Sequence, residues 1–467
     1  MTTNNMIRRC LYTLIASLIL IGFADSGSSQ DQTARAAKGT GGVATQISGN
    51  VDNINLQNGN VSLQIPLASL PAMAGGKLSY TLSAYYNSKL WMVTRKEEKG
   101  HHASQQICDE SYTTDSVTED PHGGWKIGGM YGIEFRPASE AFDYYVADNN
   151  GPCFGNEYTF MQGQFFKPIL VMPDGSEHEM RIDGTYATYP GDHDYLKNYY
   201  RYQSGAFPSS STLKLYTIDG TYIAATFEPT GDYKIYLKDG TIIESATGGQ
   251  RIKDTNGNSI LLTGSSAKDE YTGREIKWAT DVYSGVTKTK VEYQSVGGTW
   301  QSVWVVWGTT TTEGQLYKTK KWDSNKAVDG ATCNQHVNLI RTFNVVRDII
   351  FPETAYNSDP LQFSFEYNSD SSQSMTTSNV VLQCVGSPAP QSYTRDVTGL
   401  GNLSKMTIPS GAEYEYSYNS DPGVGHILGF FTYDDDLVAD PVIKKEIVHG
   451  NRNFFFFICG SSRSQNF

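Results

Sequence analysis

Charged residues are scarce in this chain of 467 residues, since Asp, Glu, Lys and Arg make up only 18% of it. The basic residues form no stripe, and the net charge is −12. An acidic surface repels phosphate backbones, so we expect no nucleic-acid partner. After residue 24 the sequence also lacks the run of about 20 apolar residues that a membrane-spanning helix needs. No membrane span is therefore expected once the N-terminal signal described below is removed.

Cysteine is almost as rare, with six residues and no C-x-x-C pair. Zinc or thioredoxin-like chemistry therefore has no support. Cys10 lies at the start of the chain and Cys459 in an unusual tail, which leaves Cys108, Cys153, Cys333 and Cys384. In an oxidising compartment these four allow two disulfides with three connectivities, of which pairing within each half closes the shorter loops. Four buried thiols are the alternative.

The first residues have the pattern of an export signal. Arg8 and Arg9 precede an apolar run over 11–23, and Gly22-Phe23-Ala24 places small residues at the −3 and −1 positions of a cleavage site. We predict cleavage after Ala24 and a secreted or cell-surface protein, with an uncleaved anchor as the alternative. Residues 25–48 are rich in Ser, Gly, Gln, Thr and Ala and predict a flexible leader, with order beginning at residue 49.

Tyrosine and glycine are abundant, with 30 and 45 residues, and aromatics reach 12%. Tyrosine suits a half-buried pleated surface and glycine suits turns, so this composition favours an all-β fold. The stretch 213–262 gives the clearest pattern, because short alternating runs are separated by Asp219-Gly220, Thr230-Gly231, Asp239-Gly240 and Asn256-Gly257. These dipeptides tolerate positive φ at both central positions of a tight turn. The pattern predicts stacked antiparallel hairpins that bury their apolar faces by adding further hairpins.

The rest of the chain divides around this stack into an N-terminal β region (49–171), a repeat-like β region (172–450) and a tail (451–467). In the first region an Asn-Gly turn precedes a strand that Pro66 is expected to end or to mark as an edge. Polar segments 96–121 and 186–211 predict long loops. The four phenylalanines at 454–457 are poor surface chemistry, and they indicate a truncation or a shifted reading frame near His449.

Several of these segments resemble Rhs/YD-repeat proteins, the secreted or surface β-repeat proteins of bacteria that are related to the shells of polymorphic toxins. The resemblance covers roughly 49–95 and 172–420. Its closest match runs from Gly401-Asn402-Leu403 through Pro409-Ser410-Gly411 to Tyr414-Glu415-Tyr416. Weaker matches lie at 55–67, 173–176, 238–241, 254–258 and 269–274. The resemblance implies antiparallel hairpins in YD-repeat-like sheets, no catalysis, and a role in cell–cell contact or toxin encapsulation. The partners it implies are cell-surface glycans or a toxin cargo domain.

No catalytic, cofactor-binding or metal-binding residue is predicted. His178-Glu179 begins like a zincin helix, but Ile182 replaces the second histidine and a strand is expected there. His101 and His102 lie near Cys108 in a polar segment. Three further groups could carry carboxylate or calcium chemistry but are expected to be solvated strand or turn residues: Glu413 with Glu415; Asp254 with Asn256 and Asn258; and Asp434 to Asp436. A carbohydrate-binding surface protein and a secreted hydrolase are the alternative functions.

Overall fold

The structure is a computed structural model that describes residues 46–48, 51–55, 59–72, 77–102, 107–137, 143–147, 156–159, 165–182, 200–201, 212–295, 298–312, 315–319, 334–338, 340–353, 360–371, 373–378, 392–397, 399–418, 442–449 and 452–457. Strands joined by turns make up this part of the chain, and it contains no helix. The fold is therefore all-β, as the composition predicts.

The strands are numbered in chain order. They are β1 (Gln46–Ser48), β2 (Asp52–Asn55), β3 (Val61–Leu70), β4 (Tyr80–Asn87), β5 (Trp91–His102), β6 (Ile107–Glu119), β7 (Gly124–Ile127), β8 (Gly132–Pro137), β9 (Asp143–Ala147), β10 (Asn156–Thr159), β11 (Phe165–Val171), β12 (Glu177–Ile182), β13 (Tyr200–Arg201), β14 (Leu213–Thr217), β15 (Ala224–Phe227), β16 (Tyr233–Tyr236), β17 (Ile242–Ala246), β18 (Gly249–Lys253), β19 (Ser259–Thr263), β20 (Ser266–Asp269), β21 (Glu275–Tyr283), β22 (Val286–Gln294), β23 (Trp300–Thr312), β24 (Gln315–Thr319), β25 (Asn334–Asn338), β26 (Arg341–Ile350), β27 (Gln362–Tyr367), β28 (Gln373–Ser378), β29 (Ser392–Val397), β30 (Leu403–Thr407), β31 (Glu413–Tyr418), β32 (Val442–His449) and β33 (Arg452–Phe457).

Two sheets dominate the structure. The N-terminal sheet has the strand order β1-β2-β3-β4-β7, with every neighbour antiparallel. The second sheet, called the ladder here, is a succession of antiparallel pairings that begins with β8 and β11. It continues through β12 and β14 to β23, and then through β26, β27 and β30 to β33. The predicted stack of hairpins over 213–262 is thus one part of a longer meander.

The N-terminal sheet packs its apolar face against the ladder. Alternate residues of β3 and β4, among them Leu63, Ile65, Leu82 and Tyr86, are buried in one cluster with ladder residues from Ile260 to Tyr418. A smaller cluster joins β11, β12 and β14 to β17. Each fully buried aliphatic side chain stabilises the folded state by about 1.5–3 kcal/mol. The apolar faces of the two sheets therefore cover each other along this contact instead of facing water.

The hairpin turns share one geometry. In six of the described turns, the first of five residues donates its N–H to the fifth carbonyl, and the fourth residue, a glycine, donates to the first carbonyl. In the five of these turns whose residues are all described, the glycine alone has positive φ, which corresponds to a tight turn followed by a glycine bulge. The expectation of positive φ at both central positions is therefore wrong for all four dipeptides of 213–262: Asp219-Gly220, Thr230-Gly231, Asp239-Gly240 and Asn256-Gly257. That conformation occurs instead at Ser284-Gly285 (φ 52° and 79°).

Aspartate side chains stabilise these turns by accepting a local hydrogen bond. Oδ1 of Asp239 accepts a hydrogen bond from the N–H of Thr241 at 2.9 Å, and Asp174 does the same for Ser176. This local bond is why Asp precedes Gly so often in the chain.

Four of the expected boundaries can be compared with the described strands. Residues 96–121 are not a loop, because β5 and β6 pair there as a long hairpin; threonine-rich strands can form such a ribbon without an apolar pattern. Strand β3 does not end at Pro66, but the part of β3 around Pro66 pairs with β4 alone, so Pro66 lies on an edge, which is the second of the two expectations for it. Strand β1 (Gln46–Ser48) lies within the segment predicted to be a flexible leader. Residues 452–457 of the predicted tail pair with β32 and extend the ladder.

The remaining expectations fall partly outside the described residues. In the predicted loop 186–211, residues 200 and 201 form β13 against β11, and 202–211 and 186–199 lie outside. Most of the predicted leader also lies outside. Along β15 the buried side chains are Ala225 and Phe227, preceded by Ile223, whereas Tyr222 and Ala224 point to solvent.

Candidate functional site

The solvent-facing side of β14 to β18 carries two parallel rows of side chains. Residues two apart along a strand share a face, so β14, β15 and β16 contribute one residue to each row, and β17 and β18 extend the polar row. The aromatic row runs from Tyr216 through Ala224 to Tyr236, and the polar row lies beside it. The members of the polar row, in strand order, are Lys214, Thr226, Lys234, Glu244 and Arg251.

The aromatic row forms an open shelf. Tyr216 and Tyr236 are 46% and 37% exposed and flank the small side chain of Ala224. They are two strands apart, a separation of about 10 Å. Tyr222 lies in the preceding turn, is 81% exposed and has φ 57°. Tyr222 is strained in the left-handed region, and its exposed ring gains nothing from burial. The exposed rings of Tyr216, Tyr222 and Tyr236 are therefore candidates for contact with a ligand.

The polar row from Thr226 to Arg251 lines a groove of about 700 Å³. Its lining includes Asp232, Ser245, Lys234, Glu244 and Arg251. Ser245 donates a hydrogen bond to Asp232 at 3.1 Å and accepts one from the N–H of Tyr233 at 3.0 Å. The groove therefore offers fixed hydrogen-bonding groups directly beside exposed aromatic rings.

Ion pairs hold the charged residues of the groove in place. Arg251 makes two hydrogen bonds to Glu270, at 2.7 and 3.0 Å. Glu244 is paired with Lys253, and the hydrogen bond from that lysine, together with the nearby positive charges of Lys253, Lys234 and Arg251, lowers the pKa of Glu244 despite some desolvation. Glu244 is therefore ionised at neutral pH and presents hydrogen-bond acceptors to the groove.

A second cluster has the residue types of a nucleophilic triad. Nδ1 of His178 is hydrogen-bonded to Oδ2 of Asp219, and Nε2 of His178 lies 3.2 Å from Oγ of Ser176. Since an ionised carboxylate only accepts hydrogen bonds, Nδ1 carries the proton. Burial raises the pKa of Asp219, but hydrogen bonds from His178 and Thr221 and the charge of His178 outweigh it and lower this pKa to about 2.

This cluster lacks access for a substrate. Ser176 and His178 are both buried, and neither lines the groove. Ser176 is also the last residue of the turn at 172–176, and its N–H is already bonded to Asp174. The three side chains therefore connect the end of one hairpin to the turn of another, because β12 pairs with β14. We interpret the cluster as structural.

The residues whose sequence pattern partly resembles a catalytic or metal-binding motif have structural roles. Glu413 pairs with Lys405 at 2.8 Å on the surface of β31. Asp254 accepts hydrogen bonds from the N–H groups of Asn256 and Asn258, so its oxygens already serve the turn. His178 and Glu179 lie on strand β12, as expected. Among the described residues no group of three or more His, Cys, Asp or Glu side chains is arranged to hold a metal ion.

The remaining candidates lie beyond what the structure describes. His101, His102 and Cys108 are in β5 and β6, but their side chains are outside the described set. Cys153, Cys333 and Cys384 lie outside the described residues. The acidic run from Asp434 to Asp436 also lies outside them. The disulfide expectation therefore stays a prediction.

Sequence reasoning missed the aromatic shelf and the triad-like cluster. The signal for the shelf was present: Tyr216 and Tyr236 alternate with the buried Leu215 and Ile235, which places both tyrosines on the solvent face. The pairing of His178 with Asp219 had no local signal, because it depends on the register of β12 against β14.

No protein-family model matches the chain, and no curated protein is significantly similar to it. The described residues include no helix that could span a bilayer.

Proposed function

We propose that the chain is an exported structural scaffold of the Rhs/YD-repeat type, which acts at the cell surface and has no catalysis of its own. The observation that supports this most directly is the ladder itself, a long succession of short hairpins joined by recurring five-residue glycine turns. Four of those turns, 172–176, 237–241, 254–258 and 408–412, coincide with segments that resemble the repeat.

Of the two roles that the resemblance implies, contact at the surface has the better support. The apolar face of the ladder between β19 and β31 is covered by the protein's own N-terminal sheet. That packing leaves this face no room for a separate cargo domain. We therefore propose that the solvent face of the ladder and its loops make the contacts.

Export is tested by the N-terminus and location of the mature protein. In a bacterial host that expresses the full chain, the protein should appear outside the cytoplasm with Asp25 as its first residue. Replacing Ala24 with arginine should block cleavage, because the −1 position needs a small residue; Ala37→Arg, which lies outside the signal, is the matched control. Retention of the wild-type chain in the cytoplasm with an intact leader would count against the proposal.

Carbohydrate binding is the second candidate function, and the aromatic shelf beside the polar groove is the observation that favours it. Sugars stack their C–H faces on exposed aromatic rings while their hydroxyls bond to fixed polar groups. Tyr216 and Tyr236 supply the rings, and Lys234, Ser245 and Arg251 supply polar groups. A surface scaffold can also bind glycans, so carbohydrate binding adds a ligand to the proposed scaffold function and does not replace it.

A glycan array probed with the purified chain tests this candidate. Saturable binding should fall at least tenfold in Tyr216→Ala/Tyr236→Ala. Tyr271→Ala removes an even more exposed tyrosine that lies in a turn away from the shelf and should leave binding unchanged. A flat response from the wild-type chain would rule out the glycan role and leave the scaffold proposal untouched.

A further inference from the structure

A buried lysine and a buried aspartate meet where the two sheets touch. Asp52 opens β2 in the N-terminal sheet, and Lys445 lies in β32, the next-to-last strand of the ladder. Nζ of Lys445 is 2.5 Å from Oδ2 of Asp52. The two side chains are 3% and 0% exposed, so water does not separate or screen them.

The surroundings of this pair are aromatic. The hydroxyl of Tyr416 donates a hydrogen bond to Oδ2 of Asp52 at 2.8 Å, and the ring of Tyr414 has its centroid 5.1 Å from Nζ of Lys445. Burial, followed by the nearby charge of Asp52, raises the pKa of Tyr416 well above its usual value. The phenol therefore keeps its proton and remains a donor.

Oδ1 of Asp52 is buried and has no hydrogen-bond partner among the described residues. An unpartnered buried atom of a charged group is more costly than one of a neutral group. The ion pair is also costly because both charges have left water. A neutral product that keeps the same atoms in contact would relieve both costs.

We propose that Lys445 and Asp52 join in an intramolecular isopeptide bond that forms without any added enzyme or cofactor. A proton passes from the ammonium group to the carboxylate, which gives a neutral amine and a carboxylic acid. Nζ then attacks Cγ of Asp52, and the Cγ–Oδ2 bond breaks. Oδ2 leaves as water with one proton from the first transfer and one from the attacking nitrogen. Carboxylate plus ammonium thus becomes amide plus water, with no oxidant or reductant.

The structure supplies what this reaction needs. The nucleophile is held in contact with the carboxyl group, which replaces a bimolecular encounter by a reaction within one site. The Tyr416 hydroxyl donates a hydrogen bond to Oδ2, the oxygen that departs, and so holds the carboxyl group in place and assists the loss of that oxygen as water.

The bond would connect the second strand of the structure to its next-to-last strand. It would close most of the described chain into one covalent loop and fasten the N-terminal sheet to the ladder. This goes beyond a scaffold function, because it gives the chain a chemical activity on itself.

Peptide mapping of the purified full chain by mass spectrometry after trypsin digestion tests the proposal. The expected product joins residues 39–77 to residues 445–452, with the summed mass reduced by one water. Trypsin should fail to cut after Lys445, because its amine is acylated. Lys445→Arg should abolish the linked product, and Lys405→Arg, which changes a surface lysine paired with Glu413, should leave it intact. Tyr416→Phe should reduce the linked fraction severalfold while it keeps the aromatic ring.

Recovery of the wild-type chain as separate peptides 39–77 and 446–452, with no loss of water, would overturn the proposal. This outcome is decisive even if the variants fail to fold, because it uses the wild-type protein alone. A linked product that persists in Lys445→Arg would also overturn it, since a different amine would then carry the bond.

Discussion

Single residues determine the turns that build the ladder. Gly240 and Gly257 hold the same position in neighbouring turns and have the same φ of 86°. They differ in their surroundings: a Cβ on Gly240 would lie 2.6 Å from Cγ2 of Thr255, whereas a Cβ on Gly257 would meet nothing within 4 Å. A comparison of alanine substitutions at the two glycines therefore distinguishes the cost of backbone strain from the cost of a steric clash.

We predict that Gly257→Ala lowers the free energy of unfolding by about 1 kcal/mol, the cost of a left-handed alanine. Gly240→Ala should cost about 2–3 kcal/mol, because the methyl group also collides with a stiff threonine. Thr255→Ser removes Cγ2, so in its presence Gly240→Ala should cost no more than Gly257→Ala. Urea denaturation of the three single variants and the Gly240→Ala/Thr255→Ser double variant measures this. Equal losses for both glycines would contradict the role of Thr255.

Asp219 gives the protein a specific dependence on pH. Its pKa in the folded chain is about 2, against 3.8 for the unperturbed group. Because the folded pKa is depressed, the stabilisation is complete above about pH 4 and is lost as the pH falls from about 4 to about 2. After allowance for partial exposure to solvent, we expect it to be worth about 1 kcal/mol.

Asp219→Asn should therefore destabilise the chain at neutral pH and flatten its stability profile between about pH 4 and pH 2. Denaturation at several pH values, for wild type and variant, checks this. Parallel profiles for the two proteins would show that Asp219 contributes no acid dependence.

At the scale of elements, polar contacts fix how the N-terminal sheet meets the ladder. Nε1 of Trp125 in β7 donates to the hydroxyl of Tyr367 in β27 at 2.6 Å, and that hydroxyl donates to the carbonyl of Val346 in β26 at 2.6 Å. All three residues are buried. The hydroxyl of Tyr86 in β4 likewise accepts the N–H of Leu403 at 2.8 Å. Buried donors and acceptors are costly when unpaired, so these bonds specify one register between the sheets.

We predict that Tyr367→Phe lowers the free energy of unfolding by about 1–3 kcal/mol, because it leaves the Trp125 N–H and the Val346 carbonyl unpaired. Trp125→Phe should cost more, since it also removes volume from the core. In the double variant the two losses should fall short of their sum by about 1 kcal/mol. Additivity within about 0.5 kcal/mol would mean that the bond does not couple the sheets.

The elements that the sequence predicts well are those with local signals. The hairpins over 213–262 combine Asp-Gly or Asn-Gly with alternation, and both signals act within a few residues. The hairpin β5–β6 was missed because its strands are polar and rich in charge, so no apolar face identified them. The contacts of Asp52 with Lys445 and of Trp125 with Tyr367 join residues hundreds of positions apart, and no local pattern encodes them.

Over the whole described structure, the N-terminal sheet and the ladder form one unit that covers its own apolar faces. The sheets share a continuous apolar cluster, so neither can separate without exposing its core face to water. A scaffold of this kind should unfold as one cooperative unit over its described part.

Native-state hydrogen exchange in increasing denaturant tests this claim most directly. We predict that amides in β3 and β4 of the N-terminal sheet lose protection at the same denaturant concentration as those of β22 and β23 in the ladder. Loss of protection in β3 and β4 at a clearly lower concentration, with β22 and β23 still protected, would contradict the claim. The N-terminal sheet would then be a separate unit, and the apolar face of the ladder would be free to bind something else.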